Sequence, residues 1–132
     1  MTSTTAPESV SITALPAIGA ELNGGTFVGL TTRKDGTHCA VTLLPAKPTN
    51  RMAWKPAMTW AKKQGGELPS RPVAALLFAN VKDKLDPSWH WTSEEDAASY
   101  AWYCHFNDGT QLSIPKSYEG GVVAVRLIPL TA

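Results

Sequence analysis

An α+β fold, with its helices set apart from an antiparallel sheet, is what this 132-residue sequence predicts. Three observations carry that expectation. Asp35-Gly36 and Asn107-Asp108-Gly109 are tight-turn signals, each flanked by β-prone runs. Between residues 54 and 81, two segments repeat apolar residues at helical spacing instead. The order is therefore a strand pair, two helices, then several short strands, which defines the α+β class.

Residues 1–15 are rich in Ser and Thr and read as an N-terminal tail or a loose first strand, leaving one domain over 16–132. The hairpin comes next: runs 26–32 and 37–44 flank the Asp35-Gly36 turn. Alternation puts Cys39, Val41 and Leu43 on one face and His38, Ala40 and Thr42 on the other. Pro45–Asn50 is a linker. In WKPAMTWAKKQGG (54–66), Trp54, Ala57, Met58 and Ala61 form the apolar stripe of a short helix that Gly65-Gly66 stop. Ser70 is placed to cap the second helix, whose buried face is Val73, Leu76, Leu77 and Val81. From Pro87 the pattern turns to strands over 88–92, 99–106, 110–114 and 121–130.

Composition narrows the function. A chain that is 43% hydrophobic and 17% charged is expected to fold around a core, not to stay disordered. A net charge of +1 gives no electrostatic reason to expect nucleic acid or an anionic membrane as partner. No apolar run approaches the roughly 20 residues of a membrane helix, so no membrane insertion is expected. The first residues lack the basic start and apolar stretch of a secretory signal. The expected location is the cytoplasm of a host cell, or a particle assembled there. Cys39 and Cys104 are then expected to be free thiols.

Candidate chemistry is sparse. Cys39 follows His38 and Cys104 precedes His105, but alternation sends each Cys and its neighbouring His to opposite faces. A zinc site from these four is not expected. A Cys–His nucleophile pair would need a histidine from another strand. No nucleophile elbow, phosphate-cradling glycine loop or HExxH occurs, and Glu94, Glu95 and Asp96 read as solvated loop residues. No catalytic residue, metal or cofactor is assigned.

The aromatic residues are the remaining signal. Trp89 and Trp91 share one strand face, as do Tyr100, Trp102, Cys104 and Phe106, and at most one such face is expected to be core. Trp102 and Phe106 are assigned to it, while Tyr103 and His105 opposite, and Trp60 at a helix margin, are expected partly exposed. Rings beside short polar side chains suit recognition of a protein or glycan. The ligand-binding candidates are Trp89, Trp91, Tyr103, His105, Asn107 and Asp108.

GGELPSR (65–71), ALLFANVKDKLD (75–86), WHWTSEE (89–95), YAWYCHFNDG (100–109) and AVR (124–126) together resemble the DUF1566 domain, also called the Lcl C-terminal domain. The upstream stretch 16–36 is similar to the lead-in of its short phage and prophage members, so the likeness covers about residues 16–129. The resemblance implies a C-type-lectin-like fold, two helices packed on an irregular antiparallel sheet, and no established catalytic role. Two departures stand out: Val73 replaces the Glu that would close a capping box with Ser70, and His90 replaces an aromatic residue. Phe106-Asn107-Asp108 resembles one half of a calcium-lectin signature whose other half is missing, so calcium is not expected. The function that follows is a non-enzymatic binding module of phage or prophage origin, recognising a protein or glycan. The alternatives are a virion structural or assembly component and a cysteine-dependent enzyme.

Overall fold

The computed structural model describes residues 8–131. Its elements run β1 (Val10–Ser11), β2 (Glu21–Leu22), β3 (Gly25–Thr32), β4 (His38–Leu43), α1 (Trp54–Lys63), α2 (Arg71–Val81), β5 (Trp89–Ala97), β6 (Tyr100–His105), β7 (Gln111–Pro115) and β8 (Val125–Thr131). The described residues form a mixed α+β fold, with two helices and two mostly antiparallel sheets. Of the segment expected to be a tail or loose strand, residues 1–7 lie outside the described residues, and Val10 and Ser11 pair in parallel with Leu130 and Thr131 of β8.

A single sheet was expected; two form. The larger has the order β1-β8-β4-β3-β2, and the smaller is β5-β6-β7. The split occurs where the last expected strand begins. Regular pairing of that strand starts only at Val125, while Val122, Val123 and Ala124 are buried between the two sheets. Gly120 and Gly121 bridge to Met52 and His90, and Leu44 donates its N–H to the Ala124 carbonyl. One continuous apolar run thus serves both sheets, which periodicity alone cannot reveal.

Three clusters of buried side chains result. The main one joins Val28, Val41 and Leu43 of the large sheet to Val73, Leu77 and Val81 of α2 and to Cys104 and Phe106 of β6. The second joins Trp54, Ala57 and Ala61 of α1 to Trp91 and Ala101 of the small sheet. The third, Leu22, Phe27 and Ala40, lies on the other face of the large sheet, with Val10, Leu15 and Leu130 packed against it. Both faces of β4 are consequently covered, and its residues Cys39 to Leu43 are all buried. The same holds in part for β5 and β6, so the expectation that only one of their faces is core does not hold.

The helices match their apolar stripes with two exceptions: Met58 is exposed and Leu76 only partly buried. Ser70 caps α2 as its position predicts, its hydroxyl accepting the Val73 N–H at 3.3 Å. β5 runs five residues past the expected end, to Ala97, because register shifts after Trp91 and Glu95 let the strand continue past irregularities. Glu94, Glu95 and Asp96 therefore belong to a strand rather than a loop.

Candidate functional site

The six candidate residues divide into two groups, a packed aromatic cluster and a turn in which Asn107 and Asp108 are exposed, and the structure does not join them into one surface. Trp89, Trp91 and Tyr103 do meet: Trp89 lies 5.2 Å from Trp91, edge to face, and 5.3 Å from Tyr103. Their meeting place is the core beneath α1. Trp91 is fully buried, its indole N–H donating to the Met52 carbonyl at 2.9 Å. The expectation of an outward-facing aromatic surface here is corrected, because α1 and residues 120–124 pack over that face. Trp89 is half-buried beneath the Arg51 guanidinium, which sits 5.1 Å from its ring and donates to the Trp89 carbonyl at 3.2 Å. Gly120 is the surface against which Trp89 lies; a Cβ at that position would overlap the ring.

His105, Asn107 and Asp108 gather in the β6–β7 turn. Half-buried His105 accepts the Asn107 N–H on Nδ1 at 3.2 Å, and Asp108 accepts the Thr110 N–H at 3.0 Å. That second bond holds the Asp108 carboxyl below its ordinary range. These are the internal bonds of a hairpin turn that closes through Gly109 at φ 82°. Tyr103, His105 and Trp60 are half-buried. Phe106 is core as assigned, whereas Trp102 is only half-buried and carries the Arg71 guanidinium at 3.6 Å from its ring centre.

A larger hollow lies elsewhere, at the start of α2. A cavity of about 730 Å³ opens between the β3–β4 hairpin tip (Thr32 to Asp35), the entry to α2 (Glu67, Ser70, Pro72) and the middle of β5 (Ser93 to Glu95). A second hollow of about 680 Å³, lined by Arg71, Ala75, Gly109 and Gln111, shares Lys34, Pro72 and Glu94 with the first. Together they make one cleft, rimmed by charged and hydroxyl side chains, on either side of the first turn of α2.

Its walls are held by paired groups. Arg33 and Glu67 join at 2.8 Å across the cleft rim, and the hydrogen bond to Glu67 keeps Arg33 raised above its ordinary value. Glu94 accepts the Arg71 backbone N–H at 2.8 Å. A carboxylate from β5 thus binds a free donor at the helix start, in the chain that lacks the capping-box Glu after Ser70. The Arg71 side chain donates through Nε to Gln111 at 2.9 Å, and the Gln111 amide returns to the Arg71 carbonyl at 2.9 Å. Lys116 pairs with Glu95. Lys34 makes no ion pair among the described residues, so the cleft presents one uncommitted cation beside carboxylates already engaged.

This arrangement sets charged and hydroxyl side chains around a hollow that can hold a polar ligand. Neither hollow is lined by a histidine or cysteine. Cys39 and Cys104 are free and fully buried, and burial pushes the Cys104 thiol up, away from the nucleophilic thiolate. Among the described residues, no group of three or more His, Cys, Asp or Glu converges as a metal site. None of their helices is long and apolar enough to cross a membrane.

Glu67, Arg71 and Gln111 were not singled out from the sequence, and Glu94 was read there as a solvated loop residue. One signal pointed toward Glu94: a helix start with Ser70 but no following Glu needs an acceptor from elsewhere. Compared with known proteins, the chain matches no family model and no curated sequence.

Proposed function

We propose that the protein is a non-enzymatic binding module of phage or prophage origin that recognises a segment of a partner protein through the cleft at the start of α2. The observation carrying this reading is that two separated motifs, GGELPSR and WHWTSEE, meet at the borders of the cleft: Glu67, Ser70 and Arg71 from one, Ser93, Glu94 and Glu95 from the other. The DUF1566 resemblance and the C-type-lectin-like assignment are part of the proposal and are supported by the order of those motifs along the chain. The site of action, an infected cell or a particle, follows from the same resemblance.

A protein segment suits the cleft better than a glycan does. Sugar recognition draws on exposed rings for stacking, and neither hollow is lined by an aromatic residue. What the walls offer instead is Lys34 and the carboxylates of Glu67, Glu94 and Glu95, which complement the charged and polar groups of a peptide. The fully buried thiols weigh against the cysteine-enzyme alternative.

The test is capture from a host lysate read by mass spectrometry, run beside a glycan array, with the intact chain, Lys34→Glu and Pro72→Arg. Pro72 is exposed and borders both hollows, so the arginine fills them without touching the core. A protein held by the intact chain and lost with both variants is the expected result. Glycan binding, or capture indifferent to both changes, removes the cleft from consideration.

One observation favours the assembly-component reading. Ile12, Ile18 and Leu30 are exposed at 50%, 51% and 46%, and Ile12 and Leu30 line an apolar groove of about 600 Å³ with Leu130. Sedimentation that shows self-association, abolished by Leu30→Lys, would establish it.

A further inference from the structure

The outer face of α1 carries features that the cleft does not use. From residue 46 to residue 66 the chain has the cations Lys47, Arg51, Lys55, Lys62 and Lys63 and no carboxylate, within a molecule whose net charge is only +1. Of these, only Lys47 joins an ion pair among the described residues. Along the helix, Lys55, Thr59 and Lys63 succeed one another at intervals of four, and Pro56 and Trp60 form the adjoining row. These residues and Met52 line a shallow hollow of about 460 Å³. Its floor is apolar, from Met52, Pro56 and the half-buried Trp60, and exposed Met58 lies on the same helix. Lys55 and Lys63 stand at its two ends, separated by about 12 Å of helix rise.

Helix stability does not account for this pattern. Lys62 and Lys63 suit the negative C-terminal end of α1. Lys55 sits in the first turn, where a cation opposes the helix dipole, and that turn contains no acidic residue and no side-chain cap.

We infer that this face of α1 docks an acidic protein segment that places an apolar side chain over Trp60 between carboxylates directed at Lys55 and Lys63. Charge complementarity chooses the sign of the partner, and the apolar floor chooses its kind. A nucleic acid would use the cations but has no need of the Met52–Pro56 floor, and a nearly neutral chain lacks the broad positive field that draws in a polyanion. The inference is independent of the cleft, which lies on other elements.

Fluorescence anisotropy with the full chain tests it, using labelled probes of about twelve residues, enough to span the two lysines. The probes are a peptide with Glu on both sides of a Leu-Phe pair, the same peptide with Gln for Glu, an all-Glu peptide and duplex DNA. The expected result is saturable binding of the first probe, falling roughly tenfold or more in Lys55→Glu/Lys63→Glu and on raising salt. Trp60→Ala should weaken it as well, whereas Pro72→Arg in the cleft should leave it unchanged. The double variant alters only exposed side chains, so its effect does not depend on the folding of Trp60→Ala. The inference is overturned by absence of saturable binding, by equal binding of all-Glu peptide or DNA, or by a double variant that binds like the parent. A self-association abolished by the double variant would assign the face to a second copy and likewise overturn it.

Discussion

The two halves of β5 have opposite fates. Trp89 to Thr92 are anchored: Trp91 bonds the Met52 carbonyl, the Trp54 indole reaches the Thr92 carbonyl at 2.8 Å, and the Thr92 hydroxyl donates to the Trp102 carbonyl at 2.9 Å. Ser93 to Ala97 are partly or fully exposed, and Ser93, Glu94 and Glu95 border the cleft. One strand therefore holds both a core and a cleft wall, and the aromatic half is the core. Aromatic residues beside polar ones look like a recognition surface in sequence. Here the indole N–H groups of Trp91 and Trp54 find backbone carbonyls, which offsets the cost of burying them.

The contrast can be broken most severely at Trp91. Replacing it with Ala should destabilise the fold by about 3–5 kcal/mol through loss of burial and the cavity left behind. Denaturant unfolding measures this, and a loss below about 1 kcal/mol would show that the site is not core. Gly120→Ala comes next. Its methyl must displace Trp89, at a cost of about 1–3 kcal/mol, with a change in Trp fluorescence reporting the movement.

A smaller effect should appear with acid. His90 is buried against Phe106, and desolvation lowers its pKa below the ordinary 6.5, opposed by its bond to the Ser88 carbonyl. Between its folded value and 6.5 the unfolded chain takes up a proton and the folded chain does not. Stability should therefore fall as pH drops through that window and stop responding to this group below it. His90→Gln should flatten that part of the profile; an unchanged slope would place the titration elsewhere.

The exposed half should respond least. Glu94→Gln removes a charge from the start of α2 and should cost about 0.3–1 kcal/mol, with a larger effect on capture by the cleft than on unfolding. A stability loss as large as that of Trp91→Ala would mean that Glu94 is structural, and the distinction between the halves would fail.

Much of the fold was legible before any coordinates. The Asp35-Gly36 hairpin, both helices, the Ser70 cap and the β6–β7 turn depend on neighbours in the chain, through turn geometry and helical spacing. The site was far less legible. Glu94 matters because it meets the Arg71 N–H, a contact across 23 positions. Trp102 was assigned to the core and is instead half-buried under Arg71.

By itself, then, the sequence determined the α+β class, both helices, the two hairpin turns and that the composition suffices for a core, because these follow from local stereochemistry and apolar periodicity. Only the tertiary structure decided that residues 121–124 run between two sheets, that both faces of β5 and β6 contribute to cores, and that Arg33, Lys34, Glu67, Arg71 and Glu94 border one cleft. The physical reason is that alternation sorts side chains into two sets without saying what covers either face. That depends on where distant elements pack.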